Sequence, residues 1–251
     1  MPCETDSARS NHAAAAVAPV AVALPGTGSD ATFVDRAFRA ALSQVGVATI
    51  AVDPDPRRVV GSYRDAMDRA ADEHGTIVVA GVSIGAAVAL EWAADNPDRV
   101  RAVLAALPAW TGSPVGTPAA ASAVFTASRL RADGLDAVTA EMTASSPPWL
   151  ADELSRSWRS QWPDLPSALE EAASYHALDV EDLARLRVPV GIAAAVDDAV
   201  HPLAVAQQWV SALPAADLVE LRLQAVGDDP SVLGRACLAA LDRRISTADP
   251  V

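Results

Sequence analysis

Two kinds of apolar pattern alternate along the chain. Short apolar runs rich in Val, Ile and Ala occur near residues 17–24, 45–52, 76–80 and 99–107. Runs of that length, bounded by Gly, Pro or Asp, predict buried strands. Longer stretches between them repeat every three or four residues. Residues 32–44 put Phe33, Ala37, Phe38 and Ala41 on one face, and residues 57–74 carry charges along an outer face. Both predict amphipathic helices, and residues 86–94 predict a more apolar third helix. Strand–helix alternation predicts an α/β chain with a mostly parallel, doubly wound sheet.

The rhythm breaks after residue 109. Residues 110–177 show helical periodicity interrupted by Pro114, Pro118, Pro147, Pro148, Pro163 and Pro166, with no convincing strand. Alternation then resumes with strands near 188–196 and 218–223 and helices near 203–212 and 230–243. The expected organisation is a disordered tail over 1–15, a core over 16–109 and 178–246, and a helical cap insertion over 110–177. The cap carries Trp149, Trp158 and Trp162, half of the six tryptophans. They pack the cap onto the sheet, line an apolar pocket, or do both.

Composition narrows the function classes. A chain of 251 residues can bury a full core, and no apolar run reaches membrane-spanning length although 51% of residues are hydrophobic. A net charge of −13, with arginine supplying every cation apart from histidine, argues against nucleic acid and anionic membranes as partners. Cys3 lies in a polar tail and Cys237 in an apolar helical pattern, so the pair suggests neither a disulfide nor a metal site. The tail resembles a secretory leader poorly, because Glu4 and Asp6 precede Arg9. A reducing cytoplasm is the expected compartment.

Candidate chemistry begins at Gly81-Val82-Ser83-Ile84-Gly85. Gly-x-Ser-x-Gly between a predicted strand and a predicted helix reads as a nucleophile elbow. Its glycines allow a sharp turn that holds the Ser83 hydroxyl out at the strand end. The bland alternative is an ordinary strand–helix turn. Gly26-Thr27-Gly28 follows the first strand. It lacks the lysine of a Walker motif and the third glycine of a dinucleotide fingerprint.

Together these features resemble the α/β-hydrolase family, as do Pro97-Asp98-Arg99-Val100 and a late strand ending in acids. The likeness covers nearly all of the chain after the tail. It implies a serine hydrolase acting on an ester or thioester, with no metal or organic cofactor. It makes Ser83 the nucleophile and the Ile84 and Thr27 N–H groups the oxyanion hole. Asp198, four residues before Pro202, matches the family acid, and Asp197 is the reserve. Both acids could instead serve only to start the following helix.

The family places its histidine on the loop after the last strand, where this chain reads Gly227-Asp228-Asp229-Pro230. Asp228 thus occupies the base position. Two replacements remain open: His201, three residues beyond Asp198, or an Asp198–Asp228 pair sharing a proton. His176, at the end of the cap, is a weaker candidate, and His12 and His74 look inert. The resulting expectation is a serine hydrolase, of low activity if the base is poor, binding a small-molecule acyl substrate. The competing reading is an inactive member that binds an apolar ligand or a protein partner.

Overall fold

The structure, a computed structural model, describes residues 19–248. The expected tail, with Cys3 and His12, lies outside the described residues. Six parallel strands form one sheet: β1 (Val20–Leu24), β2 (Ala48–Ala51), β3 (Ile77–Val82), β4 (Val100–Ala106), β5 (Val190–Ala195) and β6 (Ala216–Leu221). Their order is β2-β1-β3-β4-β5-β6, with the switch of direction beside β1. Helices cover both faces, since every parallel link needs a crossover. The helices α1 (Ala31–Gln44) and α10 (Val232–Ala248) pack on one face. The helices α2 (Val59–His74), α3 (Ile84–Asp95) and α8 (Leu203–Ala212) pack on the other.

Period-two alternation sorts the strand side chains between two cores. Val22, Leu24, Ile77, Val79, Val103 and Ile192 face α2, α3 and α8. Ala21, Ala23, Val78, Ala80, Ala102 and Ala193 face α1 and α10. Alanine is frequent on this second face, which leaves room for close-packed helices. Cys237 of α10 is buried and free there, and burial pushes its thiol upward, away from a reactive thiolate.

Between β4 and β5 lie α4 (Pro118–Ser145), α5 (Pro148–Gln161), α6 (Leu165–Ser174) and α7 (Val180–Leu183). Gly134 interrupts α4 with φ of 79°. Prolines start α4, α5 and α6 near their first positions, where the missing N–H is harmless. After β6 the chain departs from expectation. Residues predicted as a loop form part of α9 (Leu223–Asp228), and Gly227 lies under the Trp149 indole. A Cβ at Gly227 would stand 2.3 Å from Trp149 Cδ1.

Candidate active site

Only one residue separates β3 from α3, and it is Ser83. Its backbone is held at φ 55° and ψ −118°, a conformation that an L-residue adopts at a cost of about 1–3 kcal/mol. The Ser83 N–H donates to the Ala106 carbonyl at 3.0 Å, tying the turn to the end of β4. The flanking glycines are required by close approach. A Cβ at Gly81 would lie 2.2 Å from the Gly85 carbonyl carbon, and one at Gly85 would lie 2.4 Å from the Leu24 carbonyl oxygen.

The predicted partner arrives from the loop after β5. The Asp198 carboxylate accepts from the Val200 N–H at 2.8 Å and the His201 N–H at 3.2 Å, folding the loop into a turn. Its other oxygen lies 2.8 Å from His201 Nδ1. A carboxylate can only accept, so Nδ1 carries the proton and Nε2 is left as an acceptor. Nε2 stands 3.0 Å from Ser83 Oγ, which donates to it. One turn of chain therefore supplies both an acid and an imidazole, and that proximity needs no second loop. Pro202 follows immediately and biases His201 against helical backbone, so the turn ends before α8.

The environment suits this alignment. The Asp198 and His201 side chains are only 6% and 17% exposed. Burial pulls the Asp198 carboxyl upward. The hydrogen bond from His201, with the two backbone donors, outweighs it and holds the carboxyl below its ordinary value. Asp197, the reserve acid, instead accepts from the Leu223 N–H at 2.8 Å and fastens the β5 loop to the start of α9.

The other sequence candidates lie apart. Asp228 is exposed at the end of α9, where it accepts from Gln224 Nε2 at 2.8 Å, and it does not line the cavity over Ser83. Gly227 and Asp228 lie in α9 and not in a loop, and Trp149 fills the space beside Gly227. His176 is exposed and faces Asp179 at 3.4 Å. His74 ends α2 beside Glu73.

The loop after β1 approaches Ser83 from the opposite side. Ser29 N–H donates to the Gly26 carbonyl at 3.0 Å, closing a four-residue turn with Thr27 and Gly28 at its centre. Gly28 has φ of 71°, which favours glycine. Ile84 is the first residue of α3, so its N–H has no acceptor within the helix.

A cavity of about 540 Å³ covers Ser83. Its floor includes Gly26, Thr27, Ser83 and His201, and its walls include Phe33, Leu107, Val138, Met142, Trp149 and Trp158. Trp149 and Trp158 thus line the cavity, whereas Trp162 is 40% exposed and does not. Leu107, another lining residue, also has a positive φ, of 50°. Sequence gave no signal for that strain. Among the described residues, no group of three His, Cys, Asp or Glu side chains is placed to hold a metal ion. No described helix is long and apolar enough to cross a membrane.

Solved structures of other proteins share this fold. A carboxylesterase structure from Nitrososphaera gargenis is similar over 93% of each chain, at 16% identity and a TM-score of 0.74. A thermophilic esterase from Thermogutta terrifontis is similar over 90% of each chain, at 18% identity and a TM-score of 0.67. A hydrolase from Oleispira antarctica is similar over 89% of this chain and 91% of its own, at 13% identity and a TM-score of 0.70. At such identities the likeness shows the fold alone. No curated protein matches the chain. Residues 7–227 match the Alpha/beta hydrolase family, and with that span the chain belongs to the α/β-hydrolase family.

Proposed function

We propose that the protein is a serine hydrolase that cleaves uncharged esters with a small or medium apolar acyl group. The observation that carries this reading is the unbroken relay from Asp198 through His201 to Ser83, with contacts of 2.8 and 3.0 Å. In the reaction, Ser83 Oγ attacks the acyl carbon while His201 Nε2 takes its proton. Asp198 orients the imidazole and stabilises its cation. The Thr27 and Ile84 N–H groups receive the oxyanion. Such a donor is worth about 3–4 kcal/mol in the transition state. The C–O bond to the alcohol then breaks, and the departing oxygen takes the proton from His201. Water, deprotonated by the same nitrogen, attacks the acyl-serine and restores Ser83.

The substrate class follows from the walls. Among the described residues, Arg129 is the one arginine lining the cavity, and it is paired with Asp133 and Glu141. Glu153 is paired with Arg36 and Arg156. The lining therefore offers apolar surface and no spare cation for a phosphate or carboxylate. The chain's charge of −13 also repels anions. These features favour neutral esters over thioesters of a phosphorylated carrier. His201 within reach of Ser83, with Asp228 exposed on α9, supports the hydrolase reading over the inactive one.

A fluorophosphonate probe tests the nucleophile. Wild-type protein should label and Ser83→Ala should not. Equal labelling of both, or none of the wild type beside a labelled control hydrolase, contradicts the reading.

A further inference from the structure

Helix α5 grips the loop that carries Thr27, one peptide after another. Ser157 Oγ donates to the Gly28 carbonyl. Gln161 Nε2 donates to the Ser29 carbonyl at 3.0 Å. Arg156 forks onto the Asp30 carboxylate at 2.8 and 3.1 Å. Trp158 occupies the space beside Gly28, where a Cβ would come within 2.9 Å of the indole nitrogen. On the other side, the Tyr63 hydroxyl donates to the Pro25 carbonyl at 3.0 Å. With the Gly26–Ser29 turn, the carbonyls at Pro25, Gly26, Gly28 and Ser29 each receive a donor. The Thr27 N–H lies within this fixed frame.

Burial separates this contact from an ordinary packing surface. The buried polar side chains among the described residues are Asp30, Ser83, Thr139, Ser157, Gln161 and Ser231. Three of the six, Asp30, Ser157 and Gln161, belong to this one contact. Burying polar groups is costly and gains little net stability over apolar packing, but hydrogen bonds fix distance and direction. A helix that only needed to be held down could use leucines. The insert is also tied down away from Thr27: Glu171 of α6 accepts from the Val59 and Val60 N–H groups at 2.7 and 3.0 Å, at the start of α2.

The geometry points to Ser157 and Gln161 as positioning residues for the oxyanion hole, acting through the Gly28 and Ser29 carbonyls. Neither needs to touch substrate. They hold the Thr27 N–H where the transition-state oxygen forms, so their loss should be felt in the transition state and little in ground-state binding. This inference rests on the hydrolase reading and adds the insert to the machinery that shapes the site.

The test compares wild type, Ser157→Ala, Gln161→Glu and Glu171→Gln on a neutral ester, with a boronic acid as transition-state analogue. Ser157→Ala and Gln161→Glu should lower kcat by about tenfold or more, with KM within about twofold. Boronate affinity should fall in step with kcat/KM. Glu171→Gln should lower Tm while keeping kcat. The inference fails if kcat and boronate affinity are unchanged, if only KM rises, or if all three variants lose kcat in proportion to Tm. Gln161→Glu decides the matter alone should Ser157→Ala not fold. Fluorophosphonate labelling separates the two levels. A wild type that neither labels nor turns over defeats the hydrolase reading and this inference together, whereas labelling at one rate in wild type and in both α5 variants defeats this inference only.

Discussion

Ser83, Asp198 and His201 were each legible in the sequence, for different reasons. Ser83 stood in a motif whose glycines have steric causes. Asp198 stood at a strand end, four residues before a proline. His201 was one of two open solutions, because spacing alone does not say whether a side chain three residues from its acid can also reach a third group. In the structure Asp198 folds the turn with one oxygen and meets the His201 ring with the other. Asp228 ends α9, a helix that the sequence pattern does not reveal. Asp228→Asn should therefore keep kcat within about twofold of wild type, as expected for a surface side chain. A loss beyond tenfold would return Asp228 to the site. Asp198→Asn tests the acid through stability. The folded carboxyl lies below its ordinary value, so its stabilisation is present above the unfolded value of about 3.9. It is lost as pH falls through the lower folded value. Asp198→Asn should lower Tm at pH 7, and the gap from wild type should close below about pH 4.

Elements were more legible than the joints between them. Strands β1, β3, β4 and β5 are apolar runs buried throughout or nearly so, and such runs announce themselves. The helix at Leu203–Ala212 begins where proline predicted it. What the pattern lacked were contacts of long sequence separation. Examples are Tyr63 reaching the Pro25 carbonyl across 38 residues and Ser157 reaching Gly28 across 129. Only folding brings these together, and a lone Tyr or Ser in an amphipathic helix gives no warning. Burial, with the Glu171 and Asp53 charges, pushes the Tyr63 phenol upward, so it remains a neutral donor. Tyr63→Phe should leave the Pro25 carbonyl unpaired at about 1–3 kcal/mol, read as a lower Tm. The joint at β3–α3 is less forgiving. Gly85→Ala would drive a methyl into the Leu24 carbonyl, at about 3 kcal/mol, and should yield a sharply lowered Tm or insoluble protein. A Gly85→Ala protein as stable as wild type would show that the strand–helix crossing is looser than described.

At the scale of the molecule, the sheet presents Ser83 and the helical insert roofs it with apolar side chains and paired charges. Electrostatics then selects among substrates that fit equally well. An ester bearing a carboxylate should show kcat/KM about tenfold below its neutral isostere at low salt, and the gap should narrow near 0.5 M salt as screening shortens the field. An anionic ester preferred at every salt concentration would contradict the wall chemistry. The hydrolase proposal stands on His201 as the base for Ser83. Its most direct measurement is kcat/KM of His201→Ala on a neutral ester, with Ser83→Ala as the floor. Loss of a triad base costs roughly 10³-fold or more. On the hydrolase proposal, His201→Ala falls to the Ser83→Ala floor. Activity within about tenfold of wild type in His201→Ala, with Ser83→Ala dead, would contradict it.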